Sequence, residues 1–225
     1  MTRPAFAILV CGLLVAGAPA AHAQTADDAR SCALGSGAAA VDSCTRALTS
    51  RRFNRNELAL LHYRRAMLRR DAGDRAGAID DFTATIHLNG DVIPVSADAF
   101  DLRTSQRNAY LNRGRTYTDG GDAIRARADF DTLLRVDPKD TQALASRARA
   151  FEASSACDRA VADDDAVLAL NPNAWESLVA RARCHATLGA RDRAIADYKA
   201  ALALPLPDAA RPDVAAALSA LGVTP

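Results

Sequence analysis

Four segments of this chain align with one another: YRRAMLRRDAGDRAGAIDDFTATIHLNG, LNRGRTYTDGGDAIRARADFDTLLRVDP, ASRARAFEASSACDRAVADDDAVLALNP and VARARCHATLGARDRAIADYKAALALPL. From the second to the fourth, successive units start 34 residues apart, and such a period narrows the fold more than any composition figure does. A small residue recurs at Ala66, Gly114, Ala148 and Ala182. Another stands twelve residues on, at Ala78, Ala126, Ala160 and Ala194, and four beyond it comes Phe82, Phe130, Asp164 or Tyr198. Gly73, Gly121 and Gly189 mark a turn between the halves, where the third unit has Ser154-Ser155.

The physical reading of each unit is a pair of antiparallel helices. Small residues let two backbones approach, the aromatic fills the gap beside them, and glycine ends the first helix in a left-handed conformation. Pro138 and Pro172 stop the second helix. With alanine abundant and aromatics at 5%, closely packed helices are favoured over strands. A single pair cannot bury its apolar face, so neighbours must stack.

In length, small-aromatic-small spacing and terminal proline, the pattern resembles the tetratricopeptide repeat family. The resemblance implies an all-α, right-handed superhelical solenoid. It covers residues 59–208 as four repeats, 59–90, 107–140, 141–174 and 175–208. Residues 24–58 hold a degenerate repeat, with Gly35, Ala40, Cys44 and Ala47 in register, and residues 209–225 form a capping helix opened by Pro212. The first two full units are 48 residues apart, so an insert spans about 91–106. It reads as an ordinary loop with a lengthened helix, or as a lid or partner contact on the edge of the array.

Residues 1–23 read as a signal peptide: a positive start at Arg3, an apolar run from Ala5 to Ala18, then Ala21-His22-Ala23 as a small-x-small cleavage site. The apolar run is shorter than the ~20 residues that span a bilayer, so no stable membrane insertion is expected after cleavage. The expected location is outside the cytoplasm, in the periplasm or secreted. Four cysteines would remain, and in an oxidising compartment disulfides are the default. The repeat register pairs Cys32 with Cys44 across one helix pair, and Cys157 with Cys184 across two stacked units.

The first helices of the last three repeats carry Arg-x-Arg, starting at Arg113, Arg147 and Arg181. Residues two apart on a helix point about 200° from each other, so the six arginines cannot form one ladder. Sixteen residues after the first members, and after Arg65 in the first repeat, stand Asp129, Asp163, Asp197 and Asp81. One aspartate per repeat at one spacing predicts structural ion pairs at the seam between helices. The second members, Arg115, Arg149 and Arg183, have no acidic residue following at a fixed spacing.

By the resemblance, these second positions face a concave groove that receives peptides. Met67 takes the place in the first repeat, and Tyr63, Asn108, Asn112 and Gln142 are further groove candidates. Leu60, Leu111, Ala145, Glu152, Glu176 and Val179 complete that face. The expected partner is a protein or peptide, with acidic character matched to the arginines; the alternative for Arg149 is a local pair with Glu152.

Formal charge is +1, so no nucleic-acid partner is expected. His62, His87 and His185 show no metal-ligand spacing, and Asp163-Asp164-Asp165 fans around a helix instead of converging on an ion. No metal, cofactor or catalytic residue is expected. The function expected is a peptide-binding scaffold; the alternatives are a self-associating assembly subunit and an accessory module of a cell-envelope enzyme.

Overall fold

The computed structural model describes residues 20–90 and 100–224. The signal segment therefore lies outside the described residues up to position 19, and the insert does so over 91–99. Among the described residues there are eleven helices and no strand. They form an all-α helical repeat fold made of two compact units that meet at Thr116 and Tyr117.

The first unit holds α1 (Ala20–Leu34), α2 (Gly37–Thr49), α3 (Arg55–Asp71), α4 (Arg75–Asn89) and most of α5 (Phe100–Asp119). Helices α1 and α2 are joined by the Cys32–Cys44 disulfide, with Asp28 accepting from Arg46 further along the pair. This antiparallel crossing is the one the repeat register requires. Helix α3 starts with a capping box in which Asn54 accepts from the amides of Asn56 and Glu57, and Glu57 accepts from the Asn54 amide. Beyond its last residue, Asp71, the chain turns at Gly73, whose φ of 83° is open to glycine at little cost. Ala66 and Ala78 are fully buried where α3 meets α4, and Phe82 packs beside them 5.8 Å from the Tyr63 ring.

The second unit holds the end of α5, then α6 (Ala123–Val136), α7 (Thr141–Ala153), α8 (Cys157–Leu170), α9 (Trp175–Thr187), α10 (Arg191–Leu202) and α11 (Arg211–Ala220). Asp122 and Asp140 cap α6 and α7. Gly121 and Gly189 take φ of 82° and 76° at the turns, and Ser155 occupies the same place with φ 59°, a conformation that costs a side chain energy. Leu178, Ala182, Tyr198, Leu206, Val214 and Leu218 form one core, by which α11 covers the exposed side of α9 and α10. Among the described residues no helix is long and apolar enough to cross a membrane.

Candidate functional site

The first member of each Arg-x-Arg is drawn into the helix seams. Arg147 donates to both carboxylate oxygens of Asp163 at 2.8 and 2.7 Å, and Arg181 does the same to Asp197 at 2.8 and 2.6 Å. In the first unit Arg65 holds Asp81 through two bonds of 2.8 and 2.7 Å. His62 and Arg69 add further bonds to Asp81 at 2.8 Å. Burial pushes the Asp81 carboxyl up, but His62, Arg65 and Arg69 outweigh it and hold it below the usual carboxylate range. The remaining predicted partners fall in different units: Arg113 donates to Thr83 at 2.9 Å in the first, and Asp129 is buried on α6 in the second.

Each of these arginines also reaches back to the preceding repeat. Arg147 donates to Asp131 at 2.6 Å and Arg181 to Asp165 at 2.5 Å, each sixteen residues earlier. Thr83 takes that place for Arg113, and Thr45 for Arg65, which donates to it at 2.9 Å. One guanidinium thus ties its own helix pair to the one before. Asp131 and Asp165 escaped the sequence reading, although their 34-residue separation and their offset of sixteen from the next arginine were both visible.

The second members point elsewhere, and Arg149 and Arg183 form ion pairs of their own. Arg149 donates to Asp119 at 2.9 Å, and Arg183 clasps Glu152 at 2.6 and 3.0 Å. The local Arg149–Glu152 pair is therefore not formed; Glu152 serves Arg183 of the next repeat instead. These pairs lie at the surface, with 67% of the Arg149 side chain and 50% of Arg183 exposed. Arg115 is half-buried on α5 and acts electrostatically on the Tyr63 phenol.

In the first unit the structure brings three groove candidates together. Asn112 donates to the Tyr63 hydroxyl at 3.1 Å and to the Asn108 carbonyl at 2.9 Å, while its own carbonyl accepts from Arg70 at 2.7 Å. Burial pushes the Tyr63 phenol up, against the pull of Arg70 and Arg115. Arg70 was not singled out from the sequence. Met67 is half-buried on α3, and Gln142 lies exposed in the first turn of α7, its amide bonded to Asp140.

The cysteine expectation needs a correction. Cys157 and Cys184 are free thiols, although both are buried in one apolar cluster with Ala148 and Ala160. Stacking does bring the sulfurs within hydrogen-bonding reach. Burial, and then the neighbouring Cys157, push the Cys184 thiol far up. Beside them Asp164 occupies the position of Phe82, Phe130 and Tyr198, 1% exposed, with one carboxylate oxygen unpartnered. Burial pushes its carboxyl up to about 7 against a bond from Ser177; Glu152 and Asp163 push the same way. Among the described residues no group of three or more His, Cys, Asp or Glu side chains is placed to hold a metal ion.

The Tetratricopeptide repeat family profile matches residues 108–140. Among solved structures, MamA from Desulfovibrio magneticus RS-1, residue 41 to its end, superposes with a TM-score of 0.65. It is 13% identical, over 82% of this chain and 94% of that one. A MamA AMB-1 structure gives a TM-score of 0.60 at 15% identity, over 84% of this chain and 94% of that one. A search of curated protein sequences finds no match. At these identities the likeness shows the fold alone, an all-α helical repeat, and the family profile covers a single repeat of it.

Proposed function

We propose that the chain is an exported scaffold that binds a protein or peptide segment on the faces of its first helices. The observation that carries the reading is the division of each Arg-x-Arg in the second unit. Arg147 and Arg181 are spent on the helix seams, while Arg149 and Arg183 remain at the surface in ion pairs that join consecutive first helices. Exposed pairs of this kind are worth about 0–1 kcal/mol, so an incoming backbone carbonyl or carboxylate exchanges with Asp119 or Glu152 at little cost. Because these acids offset the arginines, the face suits a segment carrying both donors and acceptors better than a polyanion. In the first unit the linked Tyr63, Asn112 and Arg70 offer a second polar patch. Export is supported by the signal-like residues 1–23 and by the Cys32–Cys44 disulfide.

The test is cross-linking and co-purification of partners from the native cell envelope with three proteins: wild type, Arg149→Glu/Arg183→Glu, and Tyr63→Ala/Arg115→Glu. Loss of the same partner in one or both variants, with helical content retained, supports the reading. Retention of every partner by both variants overturns it. Loss of self-association alone, read by light scattering, favours the assembly-subunit alternative.

A further inference from the structure

The repeats give an internal comparison at one first-helix position, held by Tyr117, Phe151 and His185 at 34-residue spacing. At the first two stands an aromatic ring, buried for Tyr117 and half-buried for Phe151, with arginines of the second helices beside it. Arg125 lies 4.6 Å from the Tyr117 ring centroid. Phe151 has Arg127 at 5.3 Å, whose counterpart 34 residues on is Val161; the other two arginines beside the ring are Arg147 at 5.9 Å and Arg159 at 5.7 Å. The counterparts of those two arginines, 34 residues on, are Arg181 and Arg193. Both line a cavity of about 300 Å³ together with His185, Val161, Asp165 and Asp197. The cavity is open to one side, with the buried His185 in its wall, and its two arginines correspond to two of those around the half-buried Phe151 ring.

Charge and shape together decide what the cavity accepts. Asp165 and Asp197 offset Arg181 and Arg193, so the wall is formally neutral with His185 neutral and gives an isolated anion little net attraction. Arg147 binds two carboxylates through three bonds just as Arg181 does and still lies against Phe151, so ion pairing does not prevent a guanidinium from covering a ring. Val161 and Ala196 supply apolar wall. We propose that this cavity receives an aromatic side chain, Phe or Tyr, presented by a segment of a partner protein. Phe151 among its arginines is the template for the bound state. The site is formed by α8, α9 and α10, and it uses none of the second-member arginines.

The experiment is a titration of the full chain, followed by amide and histidine NMR signals, with N-acetyl-phenylalaninamide and, as a control, N-acetyl-alaninamide. The expected result is saturable shifts centred on His185 and Arg193 with the aromatic probe, at roughly millimolar affinity as befits so small a ligand. His185→Phe fills the space from within and abolishes those shifts while leaving the helical spectrum intact. Arg193→Ala weakens binding at least about fivefold, and Arg149→Gln/Arg183→Gln leaves it unchanged. Equal shifts from the alanine probe, no shift at saturation, or unchanged binding to His185→Phe overturns the proposal. Sodium acetate shifting the same residues more strongly reassigns the cavity to carboxylates and overturns it as well. Dilution-dependent shifts at His185 without any probe assign it to a second copy of the chain, with the same consequence.

Discussion

Replacing Asp164 by Asn removes a buried carboxyl from the second unit, and its consequence is a change in how stability depends on pH. The side chain is 1% exposed, one oxygen is unpartnered, and burial holds the carboxyl at about 7 against 3.8 in a free chain. Between those values the folded protein keeps the proton and the unfolded chain has released it. Stability therefore falls as pH rises through this window and levels off above it. Three pH units at about 1.4 kcal/mol each give a loss of about 4 kcal/mol between about pH 4 and pH 8. Asp164→Asn does not titrate, so it should gain on the wild type by about that amount across the same window, whatever constant offset its amide introduces. Urea melts of both proteins at fixed ionic strength supply the difference curve. Parallel profiles, with no widening gap above about pH 4, would refute the reasoning.

Three further outcomes are expected. Asp81→Ala leaves Arg65 without its carboxylate in a buried seam and should cost about 3–5 kcal/mol in urea unfolding, while Arg65→Met combined with Asp81→Leu costs less; a double variant worse than the single contradicts the pairing. Ser155→Gly relieves a left-handed residue at the turn where Gly121 and Gly189 stand in neighbouring repeats, and should raise stability by about 1 kcal/mol; a loss contradicts the strain. Alkylation of the denatured, unreduced protein, followed by peptide mapping, should label Cys157 and Cys184 and leave Cys32 and Cys44 unmodified; protection of Cys157 and Cys184 contradicts the free-thiol assignment.

What the sequence made legible is what repeats. Ala66, Ala148 and Ala182 are all buried as their period requires, and the aspartate sixteen residues after Arg65, Arg147 and Arg181 lies against its arginine. The partners of Arg149 and Arg183 stayed hidden for a geometric reason. Asp119 precedes its arginine by 30 residues and Glu152 by 31, one at the last residue of α5 and the other inside α7, so no common spacing betrays them. The cysteine reading located Cys157 and Cys184 as neighbours but not their redox state, because register fixes proximity and not bond formation. The cavity at His185 left no trace in the sequence, since a pattern of residue types does not report unfilled volume.

The most direct test of the account is a comparison of two substitutions that differ only by two positions along the same helices. Arg147→Gln/Arg181→Gln removes the arginines read as structural, and Arg149→Gln/Arg183→Gln those read as facing a partner. The first should leave Asp163 and Asp197 buried without a counter-charge and lower Tm by at least about 10 °C. The second should lower it by less than about 4 °C, because its ion pairs are at the surface. Equal losses, or a larger loss from the second pair, would contradict the division of each Arg-x-Arg into a seam residue and a surface residue.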